Sequence, residues 1–211
     1  PAWMTDKLIA TVAELPRCQH EINLPVQAGH DHILKIMRRG YTVARYKALA
    51  EKIRQAMPDV ALTTDIIVGH PGETEEHFAG TLALVEDIRF DKIHIAMYSA
   101  RPGTRAAAME ADPALAVSDS EKNARRIALE QVQERIATEK NAQLLGKRVE
   151  ILVEGEHKGK WRGRTSGNKL VFFSDPTNWI GQLVEVEITQ TGPWSLQGKL
   201  VEKESPTNGA V

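Results

Sequence analysis

Asn23, Gln27, Asp65, His94 and Tyr98 carry hydrogen-bonding groups inside stretches that otherwise read as apolar strands, over residues 19–27, 60–68 and 92–99. Successive side chains of a strand point to opposite faces. In each stretch the packing set falls on one parity: Ile22, Leu24 and Val26, then Thr64, Ile66 and Val68, then Ile93, Ile95 and Met97. The five polar groups, with Ile67, fall on the other. A parallel sheet with helices on its packing face would therefore gather those groups on one polar face, and ligands of such folds bind at the C-terminal ends of the strands. Just there the second strand runs into Gly69-His70-Pro71-Gly72, whose glycines let backbone pass close to a ligand. For each polar residue taken alone, a plainer reading stays open: a buried group satisfied by its neighbours.

A second group of residues reads as a contact for a polyanion. Lys158, Lys160, Arg162, Arg164 and Lys169 fall within 157–170 with no acid among them, and Trp161, Phe172 and Phe173 interleave. Basic groups that track phosphates beside aromatics that stack on bases are how single strands are gripped. The alternative is a solvated strand face over core aromatics, and alternation must send either Phe172 or Phe173 inward. The formal net charge of −1 offers no global attraction to nucleic acid, so only a local patch can act. Residues 147–202 hold eight bases against seven acids.

Metal chemistry has little support. His30, His32, His70 and His77 lack ligand spacing backed by further donors, and no metal site is expected from them. Cys18 is the one cysteine, read as a packed or bystander thiol, which excludes a disulfide framework and a thiolate-held cluster made by this chain alone. No apolar run approaches the roughly 18 to 20 residues of a membrane span, and the start lacks a basic, then apolar, leader pattern. A soluble, cytoplasmic protein is the expectation, with no membrane partner.

The elements that must position these groups divide the chain. Residues 1–145 alternate helical periodicity with short β-rich runs, the pattern of strand–helix units around a parallel sheet. Helices are expected from Thr5 to Glu14, over 30–38, from Thr42 to Pro58 with Tyr46, Leu49, Ile53 and Met57 in one stripe, and after Gly72. The last of these places Glu73, Glu75 and Glu76 in its first turn and buries Phe78, Leu82 and Val85. A capping box, Ser118 with Glu121, opens a long helix with Ala124, Ile127, Val132 and Ile136 inside. From 146 to 203, five short alternating runs separated by Gly, Asn and Pro suggest a small barrel of the oligonucleotide-binding kind. A polar tail over 204–211 reads as disordered.

The runs Leu24-Pro25-Val26-Gln27-Ala28-Gly29, Met37-Arg38-Arg39-Gly40-Tyr41, Thr64-Asp65-Ile66-Ile67-Val68-Gly69-His70-Pro71-Gly72-Glu73-Thr74 and Tyr98-Ser99-Ala100-Arg101-Pro102-Gly103-Thr104 resemble the second half of the radical-SAM core of tRNA methylthiotransferases. Gly163-Arg164-Thr165 and Asn168-Lys169-Leu170-Val171-Phe172-Phe173 resemble the RNA-binding TRAM domain that ends those enzymes. The Arg-Pro-Gly-Thr turn and Arg89-Phe90-Asp91 are most similar to the branch that forms 2-methylthio-N6-isopentenyladenosine. Two positions depart from the family pattern, Ala28 where Ser is usual and His70 where Phe is usual.

The resemblance implies an α/β fold, a partial (β/α) radical-SAM barrel followed by a small all-β, OB-like TRAM barrel. It implies S-adenosylmethionine (SAM) and [4Fe–4S] clusters as cofactors, with the cluster ligands outside this chain, and tRNA as partner. Gln27, Arg39, Asp65, Gly69 and Tyr98 are the expected cofactor-binding residues, Arg39 as the two-pronged partner of the SAM carboxylate. Lys158, Lys160, Arg162, Arg164 and Lys169 are the expected RNA-binding residues, and no catalytic residue is assigned. A chain beginning at Pro1 and lacking the cluster half reads as a fragment, inactive alone, whose missing N-terminal half lies in the same polypeptide or a separate chain. Two alternatives stand beside this: a non-catalytic RNA-binding protein, and a methylthiotransferase for threonylcarbamoyl-adenosine or a ribosomal protein.

Overall fold

The computed structural model describes residues 1, 3–15 and 18–201. The expected tail at 204–211 lies outside the described residues. The chain divides into two compact units, Pro1–Ala137 and Thr138–Val211.

The first unit holds β1 (Glu21–Asn23), β2 (Ala61–Val68) and β3 (Lys92–Met97) in one parallel sheet of that order. Helix α1 (Asp6–Glu14) precedes β1, α2 (Asp31–Ile36) and α3 (Val43–Ala56) lie between β1 and β2, α4 (Glu75–Ile88) lies between β2 and β3, and α5 (Arg105–Glu110) and α6 (Asp119–Ala142) follow β3. Each of the longer helices starts where its sequence says it should. Thr5, Thr42 and Thr74 cap α1, α3 and α4 by accepting a backbone N–H. Ser118 and Glu121 form the expected reciprocal box, the hydroxyl accepting the Glu121 N–H at 3.2 Å and the carboxylate accepting the Ser118 N–H at 3.1 Å.

Strand parity is borne out on the packing face. Ile22, Leu24, Val26, Leu62, Ile66, Val68 and Ile93 are buried in one core with Tyr46, Ile53, Phe78, Val85 and Phe90 from the helices and the turn before β3. Burying each such side chain contributes roughly 1.5–3 kcal/mol. Asp65 sits opposite His94 and Ile66 opposite Ile95, so the polar residues keep to the other face. Met97 departs from the expectation: it is 43% exposed, because α5, the helix after β3, buries none of its residues.

The expected strand at 19–27 is cut to three residues. Pro25 has no N–H for the ladder, and the Thr64 hydroxyl bridges the gap, donating to the Leu24 carbonyl at 2.9 Å and accepting from the Val26 N–H at 3.0 Å. Pairing resumes at Gln27, whose N–H donates to the Asp65 carbonyl and whose carbonyl accepts from Ile67, both at 2.9 Å.

Two further departures concern charge. Glu73 does not belong to a helical first turn, because α4 begins at Glu75 behind its cap Thr74. In α6 the stripe expected through Ala124 and Ile127 is rotated: both are exposed, and the buried line runs through Lys122, Arg125, Leu129, Gln133 and Ile136. Spacing of three and four residues is kept, but its first two members are cations.

In the second unit β4 (Arg148–His157), β5 (Lys160–Arg164), β6 (Leu170–Phe173), β7 (Leu183–Thr191) and β8 (Leu196–Leu200) close a barrel in the order β4-β5-β6-β8-β7. The β6–β8 pair is parallel and the others antiparallel. That is the five-stranded, oligonucleotide-binding type of barrel. Ile151, Val153, Val171, Phe173, Val184, Val186, Ile188 and Leu196 fill it.

Candidate functional site

At the strand ends of the first unit, Gln27 is 8% exposed and has φ 74°. A left-handed conformation costs a non-glycine residue of order 1 kcal/mol or more and concentrates at functional sites. The two backbone bonds of Gln27 to β2 hold it there, and its side-chain amide has no hydrogen-bond partner among the described residues. Asp65, half-buried, accepts from the Asn23 amide at 3.3 Å. Asn23 in turn accepts from Thr63 at 3.2 Å. The polar face is thus a short hydrogen-bonded line.

Gly69 needs to be glycine: its φ is 72°, and a Cβ would stand 2.2 Å from Cγ of Lys122. Its N–H donates to Glu73 Oε2 at 2.6 Å. Arg125 donates to the same oxygen at 3.0 Å and to the Glu73 carbonyl at 3.1 Å. Burial pushes the Glu73 carboxyl up, and the Gly69 N–H and Arg125 pull it back down. The loop between β2 and α4 is therefore tied down by a buried ion pair. Lys122 lies over the Tyr98 ring, 5.7 Å from its centroid, and pairs with Glu110 at 2.9 Å. That hydrogen bond first, against the cost of burial, raises the Lys122 pKa. His70 meets Tyr98 edge-on at 5.2 Å, and burial lowers its pKa.

A cavity of about 420 Å³ opens beside these groups, lined by Arg39, Ile67, Ala96, Tyr98 and Arg101 among others. It brings Arg39 and Tyr98 together. Gln27, Asp65 and Gly69 are not among its lining residues; Gln27 and Asp65 meet through backbone, and Gly69 reaches Tyr98 through Lys122. Glu73, read in the sequence only as a first-turn acid of a helix, and Lys122 and Arg125 are site residues that the sequence reading misses. The carboxylate four residues after Gly69 was a signal for the first, whereas cations on an amphipathic helix ordinarily mark its solvated side.

On the barrel, Lys160, Arg162 and Arg164 share the outer face of β5, and Lys158 sits in the turn before it with φ 51°. Lys160 donates to Gln197 at 2.7 Å. Arg164 braces the turn to β6, donating to Asn168 Oδ1 at 2.8 Å and meeting Glu154 at 3.3 Å. Lys169 donates to Asn141 at 2.9 Å. Of the aromatics, Phe173 is in the core, and Trp161 packs against it while its indole N–H donates to the Asp175 carbonyl at 3.0 Å. Phe172 lies opposite Arg162 on the outer face, with His157 at 6.1 Å. The outward set is Lys158, Lys160, Arg162 and Phe172.

Residues 1–85 match the family model of the Radical SAM superfamily, and residues 142–201 match that of the TRAM domain. Over its whole length the chain is 68% identical to a protein of Roseiflexus sp. (strain RS-1), and 66% identical to one of Chloroflexus aurantiacus, both named tRNA-2-methylthio-N(6)-dimethylallyladenosine synthase. The chain spans about half the length of these curated relatives, 45% and 46%. Among solved structures, coproporphyrinogen III oxidase (HemN) from Escherichia coli aligns over 82% of this chain and 41% of its own, with 15% identity and a TM-score of 0.45.

The radical SAM family implies SAM and an iron-sulfur cluster. The strand ends suit the first: the Tyr98 hydroxyl is buried with no partner among the described residues, beside a guanidinium and an apolar wall. They do not suit the second, since a cluster needs several thiolates, the sequence holds one cysteine, and no described group of His, Cys, Asp and Glu gathers to hold a metal. Two family models and two-thirds identity over its whole length make this chain similar to part of the tRNA-2-methylthio-N(6)-dimethylallyladenosine synthases, with a Radical SAM match at its start and a TRAM match at its end.

Proposed function

We propose that this chain acts as the C-terminal part of an enzyme that adds a methylthio group to C2 of N6-isopentenyladenosine next to the anticodon of cytoplasmic tRNA. The observation that supports this most is the strand-end site itself, with polar groups and an orphaned hydroxyl beside Arg39, in a chain two-thirds identical to synthases of that name. When bound, SAM and the clusters supply the radical, the sulfur and the methyl group. The chain's own residues bind and orient. Arg39 pairs with the SAM carboxylate as a planar fork, Gln27 and Asp65 accept or donate to its polar parts, the Gly69 loop offers backbone, and Tyr98 closes the wall. Lys158, Lys160, Arg162 and Phe172 hold the RNA, with Arg164 and Lys169 shaping the turn beside them. A half supplied by the rest of the polypeptide or by a separate chain carries the clusters.

The test is reconstitution. The isolated chain takes up no iron-sulfur cluster anaerobically and leaves SAM intact, whereas adding the half that its relatives carry restores methylthio transfer to isopentenyladenosine-bearing tRNA, read as a mass gain. Four irons bound per isolated chain would overturn the division of labour. The single cysteine also suits a second reading, an RNA-binding protein without catalysis. Failure of the joined halves to transfer, with tRNA binding intact, would favour it.

A further inference from the structure

The strand-end cavity holds one cation more than the cofactor uses. Arg39 and Arg101 both line it, no acid does, and neither guanidinium meets an acid among the described residues. SAM brings a single carboxylate, and its ammonium and sulfonium are themselves positive. With Arg39 on that carboxylate, a second guanidinium in the same cavity has no anion to answer it.

Arg101 is also held out on a stiff turn. Pro102 presets its own φ, and Gly103 takes φ 78°, the left-handed region that a Cβ would strain. The Thr104 N–H at 3.2 Å and hydroxyl at 2.8 Å both donate to the Arg101 carbonyl. Thr104 then caps α5, accepting from the Ala107 N–H at 3.2 Å. The backbone is thus fixed on the C-terminal side of an exposed, unpaired cation, so less order remains to be imposed when an anion arrives. The wall beside it is apolar, built from Ile67, Ala96 and Met97. An apolar wall with a guanidinium at its rim suits a nucleobase whose own phosphate lies within the fork's reach.

We propose that Arg101 binds a phosphate flanking the target nucleotide, and so sets the specificity of this site for a nucleotide within an RNA chain over a free nucleoside. The inference rests on the RNA reading above and adds to it a phosphate contact outside the barrel. The experiment measures binding of a short single-stranded, adenosine-containing RNA to the 211-residue chain across a salt series. Arg101→Gln lowers the slope of log affinity against log salt by about 0.7 to 1, one phosphate contact. Arg105→Gln, an exposed cation just past the turn and outside the cavity, leaves the slope unchanged. Arg101→Lys, which keeps the charge and loses the fork, keeps the slope and binds more weakly at every salt concentration. S-adenosylhomocysteine affinity of Arg101→Gln matches the parent.

Equal slopes for Arg101→Gln and the parent, with Arg162→Gln still lowering the slope, overturn this proposal and leave the barrel's RNA role standing. A parent that binds no RNA overturns both. Loss of S-adenosylhomocysteine binding in Arg101→Gln overturns it differently, by assigning Arg101 to the cofactor.

Discussion

The two units solve burial in opposite ways. In the barrel the buried set is aliphatic and aromatic, with Asn141 as its one buried polar residue among those described, while the charges stay outside. In the first unit Gln27, Thr63, Thr64, His70, Glu73, Thr81, Lys122, Arg125 and Gln133 are all buried, and the charged ones, Glu73, Lys122 and Arg125, meet around the Gly69 loop after β2. Buried charge is costly unless paired and hydrogen-bonded. Its concentration around the loop after β2 marks where the molecule maintains geometry for something other than stability. The barrel's sheet is closed, whereas β1 and β3 each pair on one side only among the described residues, leaving edges for further strands.

Breaking the buried pair tests that contrast most strongly. Arg125→Met leaves Glu73 buried and unpaired and lowers the stability of the first unit by about 3–5 kcal/mol. Hydrogen exchange resolved by segment should show lost protection over residues 61–97 and unchanged protection over the barrel strands. An undiminished first unit would show that the pair is ornamental. In the barrel the equivalent blow is apolar: Phe173→Ala costs about 3–5 kcal/mol by cavity formation, measured by denaturant unfolding. Its neighbour separates stability from function. Phe172→Ala should unfold close to the parent and lose about 1–3 kcal/mol of single-stranded RNA binding through the stacking face it removes. An unchanged RNA affinity would take Phe172 out of the interface.

The smallest effect is a pH dependence confined to the first unit. His77 Nδ1 accepts from the Thr74 N–H at 3.1 Å, completing the cap of α4. Burial first, and then the neighbouring His30, lower its pKa in the folded state. Below the ordinary histidine pKa of about 6.5 the unfolded chain takes up the proton before the folded one, so stability present above that pH is lost as pH falls. His70, lowered by burial, acts with the same sign. His77→Gln keeps an acceptor that does not titrate, and should flatten the fall in melting temperature between about pH 7 and pH 5. An equally steep fall would assign the dependence to His70.

Much of this was legible in the residues, for a physical reason. Alternation in Ile22-Asn23-Leu24 and Thr64-Asp65-Ile66 is a two-residue period, and any strand must obey it. Threonine caps and the Ser118 box are equally local. What escaped depends on residues far apart in the chain: Glu73 and Arg125 are separated by 52 positions, and nothing near either one announces the other. Local rules even pointed the wrong way for α6, where Ala124 and Ile127 looked like the inner stripe while Lys122 and Arg125 hold it. Trp161 shows the same limit on the barrel. Its place among basic residues suggested a stacking platform, yet the Asp175 carbonyl that takes its N–H lies 14 residues on.

Whether the strand ends bind the cofactor is decided most directly at Asp65. It sits at the centre of the polar line, joined to Asn23 by its side chain and to Gln27 by its backbone, and its removal opens no hydrophobic cavity. With this chain joined to the half that its relatives carry, titration with S-adenosylhomocysteine should give an affinity about tenfold weaker for Asp65→Ala than for the parent, the loss of one charge-assisted hydrogen bond. The melting temperature without ligand should stay close to the parent's. Equal affinities for the two proteins would contradict the placement of the cofactor at these strand ends.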